Sequence, residues 1–214
     1  MSKIIGICGS IGSGKGTVAD ILVKNGYTKI SFADRLKDGV ASMFGWDRDL
    51  LEGNNTESRE WREKPDNFWS KEIGKEITPR YVLQKVGTEC MREGLWDNLW
   101  VSLVKQEIET NKDKNYVIPD VRFPNEIECI RKLGGQVILV ERERPLYWAT
   151  ARNINQNWST KGEYHSMNVV FPKVHESEWR WILEDWEYDK IISNQNTLEN
   201  LTHQVQDLLL SNQF

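Results

Sequence analysis

The chain has 214 residues, of which 39% are hydrophobic and 28% are charged, and its formal net charge is −4. This length suits a domain with a sizeable hydrophobic core, and the charged fraction is typical of a protein with a solvated surface. The acidic balance argues against a long nucleic acid as partner, because such a partner requires a basic face.

Short runs along the chain predict buried β-strands separated by amphipathic helices. Each run is apolar or β-branched and is bounded by turn residues. Strands are expected at residues 4–8, 29–32, 116–119, 136–141 and 190–193. Helices are expected at residues 14–25, 34–44, 80–92, 95–110, 125–133 and 197–210. The alternation predicts an α/β protein with a five-stranded parallel sheet flanked by helices on both faces, a three-layer sandwich.

Two segments interrupt the alternation of strands and helices. Residues 45–79 are polar and contain the charge-dense stretch ESREWREKPD, whereas residues 142–188 contain arginines, tryptophans and the stretch HESEWRW. We interpret both segments as insertions near the carboxyl edge of the sheet, where ligands of such folds bind. The sequence therefore predicts a single domain, residues 1–214, with two insertions.

The first strand is followed by the glycine-rich stretch GSIGSGKGT, residues 9–17, which we call the phosphate loop. It fits the pattern GxxxxGK between a strand and a helix, in which backbone N–H groups and a lysine hold the phosphates of a nucleotide. A glycine-rich turn without a ligand is the alternative. The residues expected to bind ATP in this loop are Gly9, Gly12, Ser13, Gly14, Lys15, Gly16 and Thr17.

The residue after the lysine is Gly16, where many phosphate loops carry a Ser or Thr that binds Mg²⁺. Thr17 follows, and this GKGT arrangement resembles nucleoside monophosphate kinases of the adenylate kinase type. The resemblance implies that phosphates and water hold the metal. The missing hydroxyl at residue 16 argues against a GTPase switch, as does the stretch NKDK, in which guanine recognition would require Asp in place of Lys114.

The stretch YVIPDVR places two charged side chains at the end of the third strand. Asp120 is a candidate for ordering water bound to Mg²⁺, and Arg122 is a candidate for neutralising a transferred phosphoryl group. The alternative is an aspartate that caps a helix, with an arginine partner.

The stretch SFADRLKDGV opens a helix after the second strand with Asp34, Arg35 and Lys37. A kinase that phosphorylates a monophosphate needs positive charge to hold the acceptor, and Arg35 and Lys37 are candidates for that role. A solvated helix face is the alternative for either residue alone.

Separated stretches of the chain also form a combined pattern. In chain order they are GSIGSGKGT, FADRLKD, LEG followed by REWRE, PRYVLQKVGTECMRE, YVIPDVRFPNE, HESE and IISNQNTLENL. Together they resemble the bacteriophage-type deoxynucleoside monophosphate kinases, and they cover most of the chain except much of 142–172. The resemblance implies a P-loop α/β kinase fold. It also implies transfer of the γ-phosphoryl group of ATP to a deoxynucleoside monophosphate, with Mg²⁺.

The resemblance implies further roles. Residues 45–79 would form the acceptor-binding region and residues 142–188 a lid, in which Arg142, Arg144 and Arg152 are candidate arginines. Asn194 would contact the ATP base. Phosphate contacts are implied for Lys37, Arg80 and Arg122, and contacts with the acceptor nucleoside for Gln84 and Glu89. The substrate-binding set is then Asp34, Arg35, Lys37, Arg80, Gln84, Glu89, His175 and Glu178.

Phosphoryl transfer depends on alignment and charge stabilisation rather than on a strong base. We therefore expect Lys15, Asp120 and Arg122 to be the catalytic residues; no metal ligand is certain, and Asp120 is the candidate that would act on the metal through water. Closure of 45–79 and 142–188 would exclude water as a competing acceptor.

Two other functions stay open on the sequence. A dephospho-coenzyme A kinase has a similar loop and a similar NxxTL region, and Asp34 would then be the general base. The stretches PDVRFPNE and GTE argue against it. A regulator that binds ATP without transferring phosphate is the other alternative, although two basic helix starts fit an enzyme with two substrates better.

The remaining expectations concern the surroundings of the protein. Cys8, Cys90 and Cys129 have no paired spacing, which favours unpaired thiols in a reducing cytoplasm, that of the host if the chain is encoded by a phage. No stretch approaches transmembrane length, so no membrane partner is expected. The family resemblance makes a homodimer an expectation.

Overall fold

The computed structural model describes residues 2–157 and 167–210. Part of the predicted lid, residues 158–166, lies outside the described residues. The chain divides into two compact units. We call residues 1–31 with 104–214 the sheet unit, and residues 32–103 the helical unit.

The sheet unit contains the predicted five-stranded parallel sheet. Its strands are Ile4–Cys8 (β1), Tyr27–Lys29 (β2), Asn115–Ile118 (β3), Gln136–Glu141 (β4) and Lys190–Ser193 (β5). They pair in the order β2-β3-β1-β4-β5, and β1 is buried along its whole length. The loop that follows β1 therefore lies at the carboxyl edge of the sheet, and the central position of β1 places this loop near the middle of that edge.

The helices agree with most of the predicted ranges. In chain order they are Lys15–Lys24 (α1), Asp34–Phe44 (α2), Thr56–Glu63 (α3), Asn67–Ile73 (α4), Pro79–Gln84 (α5), Leu99–Thr110 (α6), Pro124–Lys132 (α7), Trp148–Gln156 (α8), residues 167–170 (α9) and Leu198–Leu210 (α10). Short 3₁₀ turns occur at Glu176–Glu178 and Asp185–Glu187.

Helices cover both faces of the sheet. On one face, α1 and α10 pack together and bury an apolar stripe from each helix, including Leu22 and Val205. On the other face, α7 packs against β1 and β4. The contact is close at Gly6, because a Cβ there would overlap the Ile130 side chain. This layering confirms the predicted sandwich.

The second strand differs from its predicted position. The apolar run suggested 29–32, but Tyr27 pairs with Asn115 and Lys29 with Val117, so β2 begins and ends earlier. Tyr27 is the buried residue that anchors the strand. The consequence is that residues 30–33 lead directly from the edge of the sheet into α2.

The helical unit is held partly by a cluster of aromatic side chains. Phe44 stacks on Trp46 with ring centroids 4.6 Å apart, and Trp61 and Trp69 meet this pair edge-on. Trp46 Nε1 donates a hydrogen bond to Asp66 at 2.8 Å. Such edge-to-face pairs add stability beyond the area they bury, so the polar segment 45–79 has its own apolar centre.

The helix predicted at 80–92 continues from α5 into a π-helix, Lys85–Glu93. Gly87 lies within it, and a Cβ at this position would approach Leu36 Cδ2 to 2.7 Å. The absence of a side chain therefore permits the close packing of α2 on the π-helix. Wider π turns are frequent at functional sites, and this one contains the predicted Glu89.

Cys8 and Cys129 are buried and Cys90 is exposed, and all three thiols are unpaired, as predicted. Burial raises the pKa of the Cys8 thiol far above its usual value, which keeps it protonated. Among the described residues, no helix combines the length and the apolar character needed to cross a membrane.

Candidate active site

The phosphate loop joins β1 to α1 with a left-handed residue at the helix boundary. Gly14 has φ 102°, a conformation that side chains disfavour, and α1 begins at Lys15. The first N–H groups of α1 have no partner within the helix. They are therefore available to an anion, as the sequence pattern predicts.

The Lys15 ammonium folds back over this loop. Its Nζ donates hydrogen bonds to the carbonyl oxygens of Gly9 at 2.6 Å and Ser10 at 2.8 Å. Burial, followed by the nearby positive charge of Arg122, lowers the pKa of Lys15 to about 8, against opposing contributions led by Glu178. The site therefore holds positive charge that an anionic ligand would stabilise.

Ser13 provides a second indication of an anionic ligand. It is buried, and its Oγ has no hydrogen-bond partner in the described structure. A buried hydroxyl without a partner is rare in a folded protein and calls for a specific explanation. Together with the N-terminus of α1 and the ammonium of Lys15, it fits the polyphosphate of a nucleotide.

Asn194, predicted to contact the ATP base, reaches the phosphate loop. It follows β5, and its Nδ2 donates a hydrogen bond to the carbonyl oxygen of Ser13 at 2.8 Å. A Cβ added to Gly14 would overlap this amide nitrogen. The described contact of Asn194 is thus with the backbone of the loop.

Asp120 lies where two neighbouring parallel strands end. It follows β3, and the hydroxyl of Ser31, which follows β2, donates a hydrogen bond to its Oδ2. The charge of Asp120 also acts on Lys15, whose pKa it raises against the larger effect of burial. Ser31 was not predicted from the sequence, although the adjacency of the two strand ends was a signal that could have identified it.

Arg122 is held by the HESE stretch. Its Nη1 donates to Glu178 Oε1 at 2.8 Å and to the carbonyl oxygen of Ser177 at 3.2 Å. The Glu178 side chain is 11% exposed and that of Arg122 is 37% exposed. Burial opposes the charge of Arg122, but the Glu178 carboxylate raises its pKa above the usual value. The guanidinium therefore stays charged and in a fixed position.

The start of α7 is capped by Glu126, which is 2% exposed. Its Oε2 accepts hydrogen bonds from the backbone N–H groups of Arg122 at 2.6 Å and Phe123 at 3.1 Å. These two bonds at the start of α7 are therefore made by Glu126 and not by Asp120, for which a capping role was considered. Proline at the first helical position with Glu two residues later is the sequence signal that could have predicted this cap.

His175 starts the 3₁₀ turn that carries Glu178. Its Nδ1 accepts a hydrogen bond from the backbone N–H of Ser177 at 3.2 Å and lies 2.9 Å from Ser177 Oγ. Burial, followed by the charge of Glu178, raises the pKa of the Tyr147 phenol to about 12. His175 thus has a described role in the geometry of the turn, and substrate contact by His175 stays a prediction.

Two of the three candidate lid arginines are paired. Arg144 binds Glu141 and Asp185, and its guanidinium lies 4.9 Å from the centre of the Trp148 ring. Arg152 pairs with Glu184 at 3.3 Å. Arg142 is exposed and makes no ion pair within the described parts of the chain. Of the three arginines, Arg142 has the side chain least committed to the fold.

Six of the eight residues predicted to bind the acceptor belong to the helical unit, whereas His175 and Glu178 belong to the sheet unit. Lys37 Nζ lies 2.7 Å from Glu52 Oε2, and Arg48 binds the other oxygen of the same carboxylate. Arg48 also pairs with Asp38 at 2.7 Å and with Asp34 at 3.7 Å. Burial acts against the Glu52 charge, but the Lys37 ammonium lowers the pKa of Glu52 below its usual value. Lys37 and Asp34 thus share one ionic network, whose members Arg48 and Glu52 the sequence analysis did not identify.

The other acceptor residues predicted in the helical unit lie along α2, α5 and the π-helix. Arg35 is largely exposed and reaches Asp38 at 3.9 Å. Arg80 pairs with Glu63 at 3.1 Å. Gln84 is the last residue of α5, and Glu89 pairs with Lys85 at 3.7 Å.

The described residues contain no group of three or more His, Cys, Asp or Glu side chains arranged to hold a metal ion. The role of Asp120 in holding water bound to Mg²⁺ stays a prediction.

Comparison with known proteins relates the chain to one group. A family model described as deoxynucleotide monophosphate kinase matches residues 52–156. A protein of Acanthamoeba polyphaga mimivirus, named as a deoxynucleotide monophosphate kinase, is 36% identical over 152 residues, 65% of this chain and 74% of that protein. The deoxynucleoside-5′-monophosphate kinase of Escherichia phage T5 is 43% identical over 56 residues, 26% of this chain and 22% of that protein.

A crystal structure of a Thermus thermophilus protein aligns with 99% of this chain and 98% of its own, at 20% identity and a TM-score of 0.47.

Proposed function

Because the chain belongs to the deoxynucleotide monophosphate kinase family, we propose that it transfers the γ-phosphoryl group of ATP to a deoxynucleoside monophosphate. The single observation that carries the proposal is the phosphate loop, in which Lys15 and the start of α1 share one electrostatic environment with Arg122. A second positive charge near the lysine supports phosphoryl transfer, because the transferred group carries negative charge that such a cation stabilises.

The phosphate loop and Lys15 hold the donor. Backbone N–H groups at the start of α1 and the unpartnered hydroxyl of Ser13 bind phosphate oxygens. Lys15 exchanges its two carbonyl partners for the β- and γ-phosphates. The exchange is favourable because a charge-assisted bond to phosphate is stronger than a bond to a neutral carbonyl.

Arg122 and Lys15 stabilise the transferred group. The acceptor phosphate is already ionised, so the protein supplies position and positive charge rather than a general base. The pair with Glu178 keeps the Arg122 guanidinium oriented and protonated throughout turnover. Asp120 would hold the water shell of Mg²⁺, and the metal, when bound, neutralises charge on the phosphates.

The acceptor is assigned to residues of the helical unit. Lys37 and Arg80 carry the positive charge for its phosphate, and Gln84 and Glu89 provide the polar groups for its nucleoside. In the described structure Lys37 and Arg80 pair with Glu52 and Glu63. To bind the acceptor phosphate, each cation would either leave its carboxylate partner or bind the phosphate and the carboxylate at the same time.

The proposal extends to the surroundings of the reaction. The unpaired thiols Cys8, Cys90 and Cys129 favour a reducing compartment, and we place the reaction in the cytoplasm, that of a host cell if a virus encodes the chain. The homodimer implied by the family resemblance is tested by light scattering during size-exclusion chromatography. We assign neither a nucleic-acid polymer nor a membrane as partner.

The test is ADP production from ATP and Mg²⁺ with a panel of acceptors: dGMP, dTMP, dCMP, dAMP, their ribose counterparts and dephospho-coenzyme A. Turnover with at least one deoxynucleotide, abolished by Lys15→Ala, is the expected result. Turnover with dephospho-coenzyme A alone would contradict the proposal, and so would ATP binding without turnover on any acceptor.

A further inference from the structure

The backbone at the end of β5 is fixed from two directions. The N–H of Asn194 donates a hydrogen bond to the carbonyl oxygen of Glu141 at 2.7 Å, which ties it to the end of β4. The side-chain amide of Gln204 on α10 accepts from the N–H of Ser193 at 3.0 Å and donates to its carbonyl oxygen at 2.8 Å. Ser193 is thus held by α10, and the N–H of Asn194 is held by the end of β4.

From this fixed position Asn194 reaches the phosphate loop. Its Nδ2 donates to the carbonyl oxygen of Ser13 at 2.8 Å, across 181 positions of sequence. The N–H of Ser13 donates to the carbonyl oxygen of Ser10 at 3.1 Å. Both backbone polar groups of Ser13 are therefore bound, so its orientation is fixed.

The direction of one carbonyl determines the direction of the next N–H. In a planar trans peptide the C=O of Ser13 and the N–H of Gly14 point to opposite sides, and the described chain contains no cis peptide bond. When Asn194 holds the Ser13 oxygen toward β5, the Gly14 N–H must point away from β5. Gly14 is also the left-handed residue at the start of α1, and a Cβ there would overlap the Asn194 amide.

We propose that Asn194 is a positioning residue for the phosphate loop, which orients the peptide between Ser13 and Gly14 for binding of the polyphosphate. The inference rests on the proposed function only in taking a nucleoside triphosphate as the ligand. This role differs from the predicted contact with the ATP base, because a contact with the base would act on adenine and not on the phosphates.

The two roles differ in what they do to ligands without a base. If Asn194 keeps the loop in its binding conformation, its loss lowers the fraction of molecules that can bind, and every polyphosphate loses affinity by the same factor. If Asn194 contacts the base, inorganic tripolyphosphate binds as before.

The experiment measures dissociation constants of tripolyphosphate, ATP and GTP by titration calorimetry for the unaltered protein and for Asn194→Ala. One lost neutral hydrogen bond predicts affinities roughly three- to tenfold weaker for all three ligands. The matched control is Asn196→Ala, which removes an exposed amide two residues away and is expected to leave tripolyphosphate binding unchanged. Loss of ATP affinity alone, or no change for any ligand, would overturn the proposal.

A second variant and a second readout keep the test decisive. Asn194→Leu has nearly the same shape without a donor, and it should weaken the binding of all three ligands as Asn194→Ala does. Hydrogen exchange of residues 9–17 in the absence of nucleotide should be faster in both variants. Exchange as slow as in the unaltered protein would show that the loop does not depend on Asn194. Because no acceptor is present, these results do not depend on whether the protein phosphorylates deoxynucleotides.

Discussion

Replacement of Glu178 by glutamine removes the carboxylate that fixes Arg122 and keeps the size of the side chain. In the structure the pair is 2.8 Å long and the glutamate is 11% exposed. The centres of the two charged groups are farther apart than the hydrogen-bonded atoms, by convention about 4 Å. At an effective dielectric constant of about 20, unit charges at that separation attract each other by about 4 kcal/mol. Arg122 is more than one third exposed, so screening reduces the net contribution of the pair to about 1–3 kcal/mol.

Glu178→Gln is therefore expected to lower the free energy of unfolding by this amount, measured by urea denaturation. It is also expected to lower kcat by about ten- to a hundredfold, because the guanidinium would lose its fixed direction. The bond of Arg122 to the carbonyl oxygen of Ser177 remains, so the loss should be smaller than that of Arg122→Ala.

A double-mutant cycle decides how Glu178 acts. If it acts through Arg122, then Glu178→Gln should change kcat little in the Arg122→Ala background. The reasoning would be refuted if the loss in kcat were the same in both backgrounds. It would also be refuted if Glu178→Gln raised the KM for the deoxynucleotide at constant kcat, because Glu178 would then contact the substrate itself.

Three further predictions concern the phosphate loop and α7. Gly14→Ala should lower the free energy of unfolding by about 1–3 kcal/mol, because φ is 102° and the added Cβ would overlap Asn194. Gly16→Ala, at a helical position with open space, should not lower it; equal losses in urea denaturation would contradict the account. The pKa of Lys15 is lowered to about 8, so this side chain loses its proton as the pH rises past that value. The affinity for tripolyphosphate should therefore fall above pH 8. Binding near pH 8 should be accompanied by uptake of a proton by Lys15. Calorimetry in two buffers measures this proton uptake. Lys15→Arg, which stays charged, should abolish the uptake. A tripolyphosphate affinity that stays constant above pH 8 in the unaltered protein would contradict the reasoning. Glu126→Gln should cost about 1–2 kcal/mol of stability, since the amide is a weaker acceptor for the N–H groups of Arg122 and Phe123, and an unaltered thermal midpoint would contradict that role.

Local patterns in the sequence were sufficient for most of the sheet. The bounds of β1, β4 and β5 agree with the apolar runs, which turn residues flank; β1 is buried throughout, β4 is buried except at its two ends, and β5 buries Ile192. At β2 the run was misleading, since the pairing with β3 is set by Tyr27 rather than by the most apolar stretch. The change from α-helix to π-helix after Gln84 also has no periodic signal in so short a segment.

The site was predictable where its chemistry is local and was not where partners are distant in sequence. The phosphate loop and Lys15 lie within one short stretch, so their spacing identified them. The partner of Arg122 is 56 residues away, and that of Asn194 is 181 residues away. Residue type and spacing suggested that these side chains matter, but their actual hydrogen-bond partners depend on the way the strands are ordered in the sheet.

The central claim is that phosphate moves from ATP to a deoxynucleotide, and the most direct test follows the phosphate itself. ATP labelled with ³²P at the γ-position is incubated with Mg²⁺, the protein and each deoxynucleoside monophosphate, and the products are separated by chromatography. The account predicts label in a deoxynucleoside diphosphate, and none there with Lys15→Ala. Label found only in inorganic phosphate or retained in ATP for every deoxynucleotide would contradict it.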